Sequence, residues 1–179
     1  MAARQVDSHA LCVDIESAAQ LQERNPNVFC VISRSKNANL VVYEANIGPD
    51  GELVRDEPVL VYWLKIEPSY RQANRRKGKS DDRQELSVLE WRMAYGISHQ
   101  WHHDACEISF VALPERKCML RIVEGRPRAV SLADDTAFMT QIYVQAKERM
   151  FGLLPKVEYV DITWTSSLDS SQRLERLQK

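Results

Sequence analysis

Short apolar segments of the kind that form β-strands dominate the middle of the chain. Residues Val28–Arg34 and Leu40–Asn46 are rich in Val, Ile, Tyr and Phe, and the intervening "SKNAN" has turn chemistry, so this region predicts a hairpin. After a tight turn at "IGPDGE", the run "PVLVYWLKIE" is too continuously apolar for a half-exposed strand. It predicts a buried central strand.

Further strands are predicted in the second half of the chain, separated by Pro, Gly and Asp-Asp turns. They are "CEISFVAL", "KCMLRIVE", "RAVSL", "AFMTQIYVQAKE" and "KVEYVDITWT", the last with clean alternation of side chains. The polar tail from Ser166 predicts a frayed end or a peripheral helix.

Two helices are expected. A short one runs from about Ser17 to Arg24 and is ended by Asn25-Pro26. The principal one lies in "SDDRQELSVLEWRMAYG", with Gly96 as the C-cap glycine. Its predicted N-cap is Ser80 or Asp81, its capping-box partner Gln84 or Glu85, and its apolar face Leu86, Leu89, Met93 and Ala94.

These elements do not alternate as βαβ units, so they argue against a doubly wound parallel sheet. They predict a mainly β (α+β) fold of about seven to eight strands: an antiparallel curved sheet, β-sandwich or partly closed barrel with one principal helix packed on it. The expected organisation is an N-terminal extension over residues 1–26, one β-rich domain over 27–165 and a polar tail over 166–179.

Composition narrows the class of protein. The 179 residues are 44% apolar and 27% charged with a net charge of -1, which is typical of a globular domain without a global field toward nucleic acid or membranes. The N-terminal stretch resembles neither a secretory signal nor a spanning helix, so we expect a cytoplasmic protein. The four cysteines show no CxxC spacing and are expected to be reduced and buried, with Cys12, Cys30 and Cys118 inside apolar runs.

The stretch "ANRRKGKS" matches a loosened phosphate-loop pattern, but its context argues against a nucleotide site. The preceding strand ends near Ile66, too far from Gly78, and Asp81 and Asp82 follow where phosphates would lie. A basic segment remains, either a solvated loop or a site for an anionic partner, formed by Arg71, Arg75, Arg76, Lys77 and Lys79. With Tyr70 as its one aromatic residue, it makes nucleic acid an unfavoured partner.

The stretch "GISHQWHHDACE" holds three of the four histidines and one cysteine. Such residues can ligate zinc, although neither structural zinc spacing nor HExxH is matched; an exposed polar loop or a pH-sensitive contact is the alternative. The candidate ligands are His99, His102, His103 and Cys106. Zinc is the single cofactor considered; otherwise none is expected.

Catalytic nucleophile motifs are absent, since the chain has no GxSxG and no cysteine in an electropositive, helix-starting context. Glu85 and Glu90 share the predicted helix with Trp91 and Tyr95, so either carboxylate can lie in an ion pair, line a pocket or decorate a solvated face.

Four strings in order, "NVFCVISRSKNANLVVYEAN", "DGEL…EPVLVYWL", "RQELSVLEWRMAYG" and "MTQIYVQ…PKVEYVDI", resemble the family of small β-rich domains known as domain of unknown function 4833, over about Asn27 to Thr165. The resemblance implies an antiparallel β architecture with a helix after the central strand, and it implies no activity. The stretches "ANRRKGKSD" and "HQWHHDA" look like additions to the family pattern. Residues shared with that pattern are Asn37, Asn39, Tyr62, Trp63, Arg83, Leu86, Tyr95 and Gly96.

The leading functional hypothesis is a non-enzymatic binding module for a protein partner or a small anionic ligand. The predicted ligand-binding surface consists of Tyr62, Trp63, Arg83, Glu90 and Tyr95. The alternatives are an enzyme that uses the His/Cys metal site or a helix carboxylate, and a structural subunit of a larger assembly. The sequence does not predict an oligomeric state.

Overall fold

A computed structural model of the chain describes residues 19–35, 37–65, 83–147 and 156–178. Within these ranges, strands form one eleven-stranded sheet and helical structure is sparse. Helix α1 covers residues 19–24, helix α2 is the single turn Val88–Glu90, and a π-helical turn, Trp91–Tyr95, follows α2 directly. The strands are β1 (Val28–Arg34), β2 (Asn37–Ala45), β3 (Val59–Leu64), β4 (Arg83–Glu85), β5 (Ile97–His102), β6 (Ala105–Phe110), β7 (Leu113–Val123), β8 (Arg126–Ser131), β9 (Ala137–Lys147), β10 (Lys156–Ser166) and β11 (Gln172–Gln178).

Strand β9 organises the sheet because one of its edges is shared by two partners. Near the start of β9, Phe138 and Met139 pair with β8, whereas residues 141–144 pair with β1. The opposite edge carries β10 and, beyond it, β11. Two branches therefore leave the same edge of β9: β1–β2–β3–β4 on one side and β8–β7–β6–β5 on the other.

The two branches curl toward each other, so that strands far apart in the sheet order touch. The ring of Tyr43 on β2 packs edge-on against Phe110 on β6 at 4.9 Å between centroids. The indole Nε1 of Trp101 on β5 donates to the backbone oxygen of Arg55, in the loop between β2 and β3, at 3.0 Å. The sheet is thus a curled half-barrel.

The main core fills the inside of this curl, and a smaller cluster lies on the other face of β1–β3. The inner core contains Phe29, Tyr43, Trp63 and Tyr95 with side chains from β6 to β10. In the outer cluster, Leu21 of α1 packs on five buried residues, Val28, Val31, Leu40, Val42 and Tyr62. Both faces of β1 are covered, which explains why its predicted run is apolar at nearly every position.

The mainly β architecture predicted from the pattern is confirmed, with four corrections. The sheet is mixed, because β1 runs parallel to β9. It has eleven strands among the described residues, and β3 lies next to the edge strand β4 instead of at the centre. The tail expected to fray or form a helix contains β11, whose residues pair with β10 over Gln172–Gln178.

The principal helix is also shorter than predicted. Residues Arg83–Glu85 form an edge strand on β3, and the helical turn begins later, at the N-cap Ser87. The capping box joins Ser87 to Glu90, so Gln84 and Glu85 do not take that role, while Ser80 and Asp81 lie outside the described residues. Leu86 and Ala94 pack on the core, but Leu89 and Met93, predicted to lie on the same apolar face, are exposed. The π-helical turn, closed by the bond from Gly96 N–H to Trp91 O at 2.8 Å, changes the rotation per residue and breaks the 3.6-residue spacing.

An ion pair between the exposed Arg176 and the buried Asp161 fastens β11 to the sheet. Arg176 donates to both oxygens of Asp161, at 2.7 and 2.6 Å, and its guanidinium lies 4.0 Å from the ring centroid of Tyr159. The Asp161 side chain is 1% exposed, so its charge has little access to water.

We predict that Arg176→Gln lowers the free energy of unfolding by about 2–3 kcal/mol, because it leaves the buried Asp161 carboxylate without its cation. The matched control is Arg173→Gln on the same strand, where the side chain is exposed and a change below about 0.5 kcal/mol is expected. Urea unfolding checks both values. Equal costs for the two variants would contradict a structural role for the Asp161–Arg176 pair.

Gly96 is required for close approach and not for a left-handed backbone, since its φ is -63°. A Cβ built there would lie 2.1 Å from the carbonyl oxygen of Trp91. We predict that Gly96→Ala costs about 1–3 kcal/mol of unfolding free energy and shifts the Trp91 indole resonance, because the π-helical turn must open. The control is Gly125→Ala, where φ is 74° and an added Cβ meets no other atom. We expect this variant to lose stability through backbone strain alone and to leave the Trp91 indole resonance unchanged. A Gly96→Ala variant as stable as the wild type would show that the turn tolerates the side chain.

Candidate functional site

The residues predicted to form one ligand-binding surface are divided between the two faces of the sheet. Tyr62 and Trp63 are neighbours on β3, and successive side chains of a strand point to opposite faces. Tyr62 belongs to the outer cluster and Trp63 to the inner core. Arg83 accompanies Tyr62, whereas Glu90 and Tyr95 accompany Trp63.

The outer group is joined by a hydrogen bond, an ion pair and a cation–π contact. The Tyr62 hydroxyl donates to Glu44 Oε2 at 2.7 Å, and Arg83 Nη1 lies 3.2 Å from the same oxygen. The Arg83 guanidinium also lies 4.4 Å from the Tyr62 ring centroid. Since Arg83 is on β4 and Tyr62 is on β3, these side-chain contacts help to hold the short strand β4 on β3.

The inner group surrounds the indole of Trp63. Its Nε1 donates to Glu90 Oε1 at 3.1 Å, and its ring meets Tyr95 edge-on at 5.2 Å. Tyr95 is fixed through its backbone, since its carbonyl oxygen accepts from the Tyr43 hydroxyl at 2.7 Å. Glu90 is fixed as well, because its Oε2 accepts from the backbone N–H and the hydroxyl of Ser87, both at 2.8 Å.

Two cations complete this group. The Arg34 guanidinium carbon lies 5.2 Å from the Trp63 centroid and 5.7 Å from that of Tyr95, and Lys65 Nζ lies 4.8 Å from the Trp63 centroid. We call Arg34, Trp63, Lys65, Glu90 and Tyr95 the Trp63 cluster.

Arg34 was missed in the sequence, where it reads as the polar end of strand β1. Its Nε is buried and has no hydrogen-bond partner. Within the described ranges, no carboxylate lies at ion-pair distance from its guanidinium. The available signal was an arginine that directly follows six buried positions of a strand.

The titrating groups of the cluster are shifted in opposite directions. Burial alone would raise the pKa of Glu90, but the hydrogen bonds from Ser87 and Trp63 and the charge of Lys65 outweigh it and lower the pKa. Burial, with a smaller contribution from the charge of Glu90, raises the pKa of Tyr95, against the opposing effects of the Arg34 charge and of a hydrogen bond from Arg34. Glu90 is therefore ionised and Tyr95 neutral at neutral pH.

The four candidate zinc ligands do not converge. His99 is on β5 opposite Ile108, and His103 lies in the turn that follows, with a φ of 57°. His102 faces Glu107, at 3.6 Å between Nε2 and Oε2, while Cys106 is buried in the inner core. In the part of the chain that the structure describes, no three His, Cys, Asp or Glu side chains come together in a way that could hold a metal ion. Burial raises the pKa of Cys106 to about 11, which disfavours the thiolate that a metal requires.

The other predicted groups lie apart from the Trp63 cluster. Arg71, Arg75, Arg76, Lys77 and Lys79 are outside the described residues, as is Cys12. Glu85 is exposed on β4. Cys30, Cys106 and Cys118 are free and buried, as expected from their surroundings in the sequence.

A cleft lies elsewhere in the described structure. It has a volume of about 850 Å³ and lies between the β2–β3 loop and strands β5 and β7. One of its cations, Arg55, already lies 4.8 Å from the Trp101 centroid and 3.3 Å from Asp104. We therefore favour the Trp63 cluster as the candidate site, because the buried Nε of Arg34 has no hydrogen-bond partner there. None of the helices in the described ranges is long and apolar enough to cross a membrane.

The lowered pKa of Glu90 makes a prediction for acid stability. Since the folded-state pKa lies below the ordinary value of 4.5, the contribution of Glu90 is fully present above that value and is lost as pH falls through the folded pKa. We expect the stability difference between wild type and Glu90→Gln to shrink as pH falls from about 6 to about 3. Glu85→Gln, which removes the same charge from an exposed position, is the control for the change in net charge. Urea unfolding at several pH values measures both, and a difference for Glu90→Gln that is constant with pH would contradict the hydrogen-bonded carboxylate.

Comparison with known proteins agrees with the resemblance noted in the sequence. The chain matches no curated protein and no solved structure. A family model described as "Domain of unknown function (DUF4833)" matches residues 29–176, which begins within β1 and extends beyond Thr165 to include most of β11. Since this match covers most of the sequence and nearly the whole sheet, the chain belongs to the DUF4833 family.

Proposed function

We propose that the protein is a non-enzymatic binding module and that its Trp63 cluster holds an anionic group of a ligand. The observation that carries the proposal is Arg34: a partly buried cation with aromatic neighbours, a buried Nε without a hydrogen-bond partner, and no carboxylate at ion-pair distance among the described residues.

The energetic reason is the cost of one buried donor without an acceptor, the Nε of the partly buried Arg34. A buried donor without an acceptor costs about 1–3 kcal/mol, more when it is charged. Aromatic faces offset part of this cost through cation–π attraction. A carboxylate or phosphate oxygen bound at Arg34 would satisfy the remaining donors, and such charge-assisted bonds are stronger than neutral ones.

The neighbouring groups favour binding over catalysis. Glu90 is ionised and engaged by Ser87 and Trp63, whereas a general base works best with a pKa near the operating pH. Burial raises the pKa of Cys106 to about 11 and that of Cys118 to about 12, so neither thiol is primed as a nucleophile. The proposed partners are a protein or a small anionic ligand, and the proposal requires no metal or cofactor. A cytoplasmic location, in which buried thiols stay reduced, is part of it.

The test is an NMR titration of the protein with acetate and with inorganic phosphate. The indole N–H resonance of Trp63, assigned with Trp63→Phe, reports on the cluster because the ring lies against Arg34. We expect saturable shifts in the millimolar range, about 4 kcal/mol of binding free energy, for a single exposed anion.

Arg34→Gln should weaken this binding by about tenfold or more, the effect of losing a charge-assisted hydrogen bond. The matched control is Arg92→Gln, which removes the same charge from an exposed position on the π-helical turn and should leave the titration unchanged. Unfolding curves confirm that both variants are folded. If both variants bound the anions equally weakly, the change in net charge alone would explain the loss, and the proposed site would be overturned.

A further inference from the structure

We propose that the ligand is a segment of a protein partner in which a glutamate or aspartate is flanked by large apolar side chains. This inference rests on the proposed function, since it assigns the acidic residue to Arg34. It adds a second contact surface: four exposed apolar side chains beside the Trp63 cluster, which we call the apolar turn and which consists of Val88, Leu89, Trp91 and Met93.

The apolar turn concentrates exposed apolar surface in one short stretch. Val88, Leu89 and Met93 are 70%, 68% and 69% exposed, and Trp91 is 38% exposed. Large apolar side chains are often exposed singly, but here four are exposed within six consecutive residues. Such a concentration of exposed apolar surface is typical of an interaction site. Leu86 and Ala94 of the same stretch pack on the core, whereas Leu89 and Met93 face solvent. The stretch therefore has one apolar side that serves the core and a second apolar side that is exposed.

The apolar turn and the Trp63 cluster are parts of one surface. Glu90 lies between Leu89 and Trp91 in the chain, and its Oε1 accepts a hydrogen bond from the indole Nε1 of Trp63 at 3.1 Å. Tyr95, at the end of the turn, contacts the same indole. Arg34 lies within 6 Å of both rings. A segment that places a carboxylate at Arg34 therefore has the apolar turn within reach of its neighbouring side chains.

The turn is also held in one conformation before anything binds. Ser87 and Glu90 form a reciprocal capping box, and Gly96 N–H donates to Trp91 O at 2.8 Å. The Tyr43 hydroxyl fixes the Tyr95 carbonyl from the core side at 2.7 Å. A preorganised surface loses little conformational entropy on binding, which favours a specific partner.

A protein segment suits this surface better than a membrane. Arg34 is recessed, with a buried Nε on the inner face of the curled sheet, so a side chain can reach it but a planar array of lipid headgroups cannot. One carboxylate with apolar neighbours matches both Arg34, whose guanidinium has no carboxylate at ion-pair distance among the described residues, and the apolar turn.

The experiment uses acetylated, amidated pentapeptides of serine with a central glutamate. Leucine replaces serine on one, both or neither side of the glutamate, and a further peptide has glutamine between two leucines. Affinities for the full chain are measured by the Trp63 indole shift. We expect leucine on both sides to tighten binding by about tenfold or more, because each leucine removes apolar surface from water against the apolar turn.

Double-mutant cycles identify which protein residues contact the leucines of the peptide and which contact its glutamate. Leu89→Ser with Met93→Ser should abolish the gain from leucine while keeping the preference for glutamate over glutamine. Arg34→Gln should abolish the preference for glutamate while keeping the gain from leucine. The control Leu168→Ser, at a position 80% exposed and far along the chain, should change neither.

Each contrary outcome has a distinct meaning. If acetate binding depends on Arg34 but leucine brings no gain in any peptide, the binding module stands and the apolar partner segment is overturned. If neither acetate nor glutamate depends on Arg34, the proposed function itself fails. If the protein cosediments with phosphatidylglycerol vesicles and Leu89→Ser with Met93→Ser abolishes this, the apolar turn docks on a membrane and the protein partner is overturned.

Discussion

The shared edge of β9 is the constraint on which the rest of the molecule depends. A strand edge offers one row of backbone donors and acceptors, and here Phe138 and Met139 give theirs to β8 while residues 141–144 give theirs to β1. Since two strands cannot occupy the same edge in one plane, the branches that begin with β8 and β1 must diverge. The natural twist of strands then curls both branches to the same side, and their inner faces enclose the core.

This arrangement explains where the Trp63 cluster lies. Arg34 is the last residue of β1 and pairs with Val144 at the end of the parallel register, so its side chain stands at the rim of the enclosed core. Strand β3 brings Trp63 to the same rim, and the segment that crosses from one branch to the other supplies Glu90 and Tyr95. The cluster thus combines residues that are distant in sequence and adjacent only because the sheet curls.

Local patterns in the sequence predict much of the fold but little of the site. The strand Val28–Arg34 is predicted residue for residue, because six consecutive buried positions leave a clear apolar signal. β11 gives no such signal, because five of its seven residues are polar or charged. It is held by the pair Arg176–Asp161 and by backbone bonds to β10, which depend on a partner strand. The helix boundary was predictable in principle, since Ser87 and Glu90 have capping-box spacing, but the pairing of Arg83–Glu85 with β3 is a tertiary effect. Arg34 could not be assigned because its aromatic neighbours come from other elements.

The carboxylate of Glu90 uses its two oxygens for two different tasks, since Oε2 closes the helical turn at Ser87 and Oε1 orients the indole of Trp63. The order of the turn and the orientation of the indole are therefore thermodynamically linked. An occupant of the face of Trp63 that alters the bond to Glu90 therefore changes the protection of the turn against hydrogen exchange, and a change in the turn then alters the affinity of that occupant by the same factor. A single side chain thus connects two neighbouring surfaces through two hydrogen-bonding oxygens.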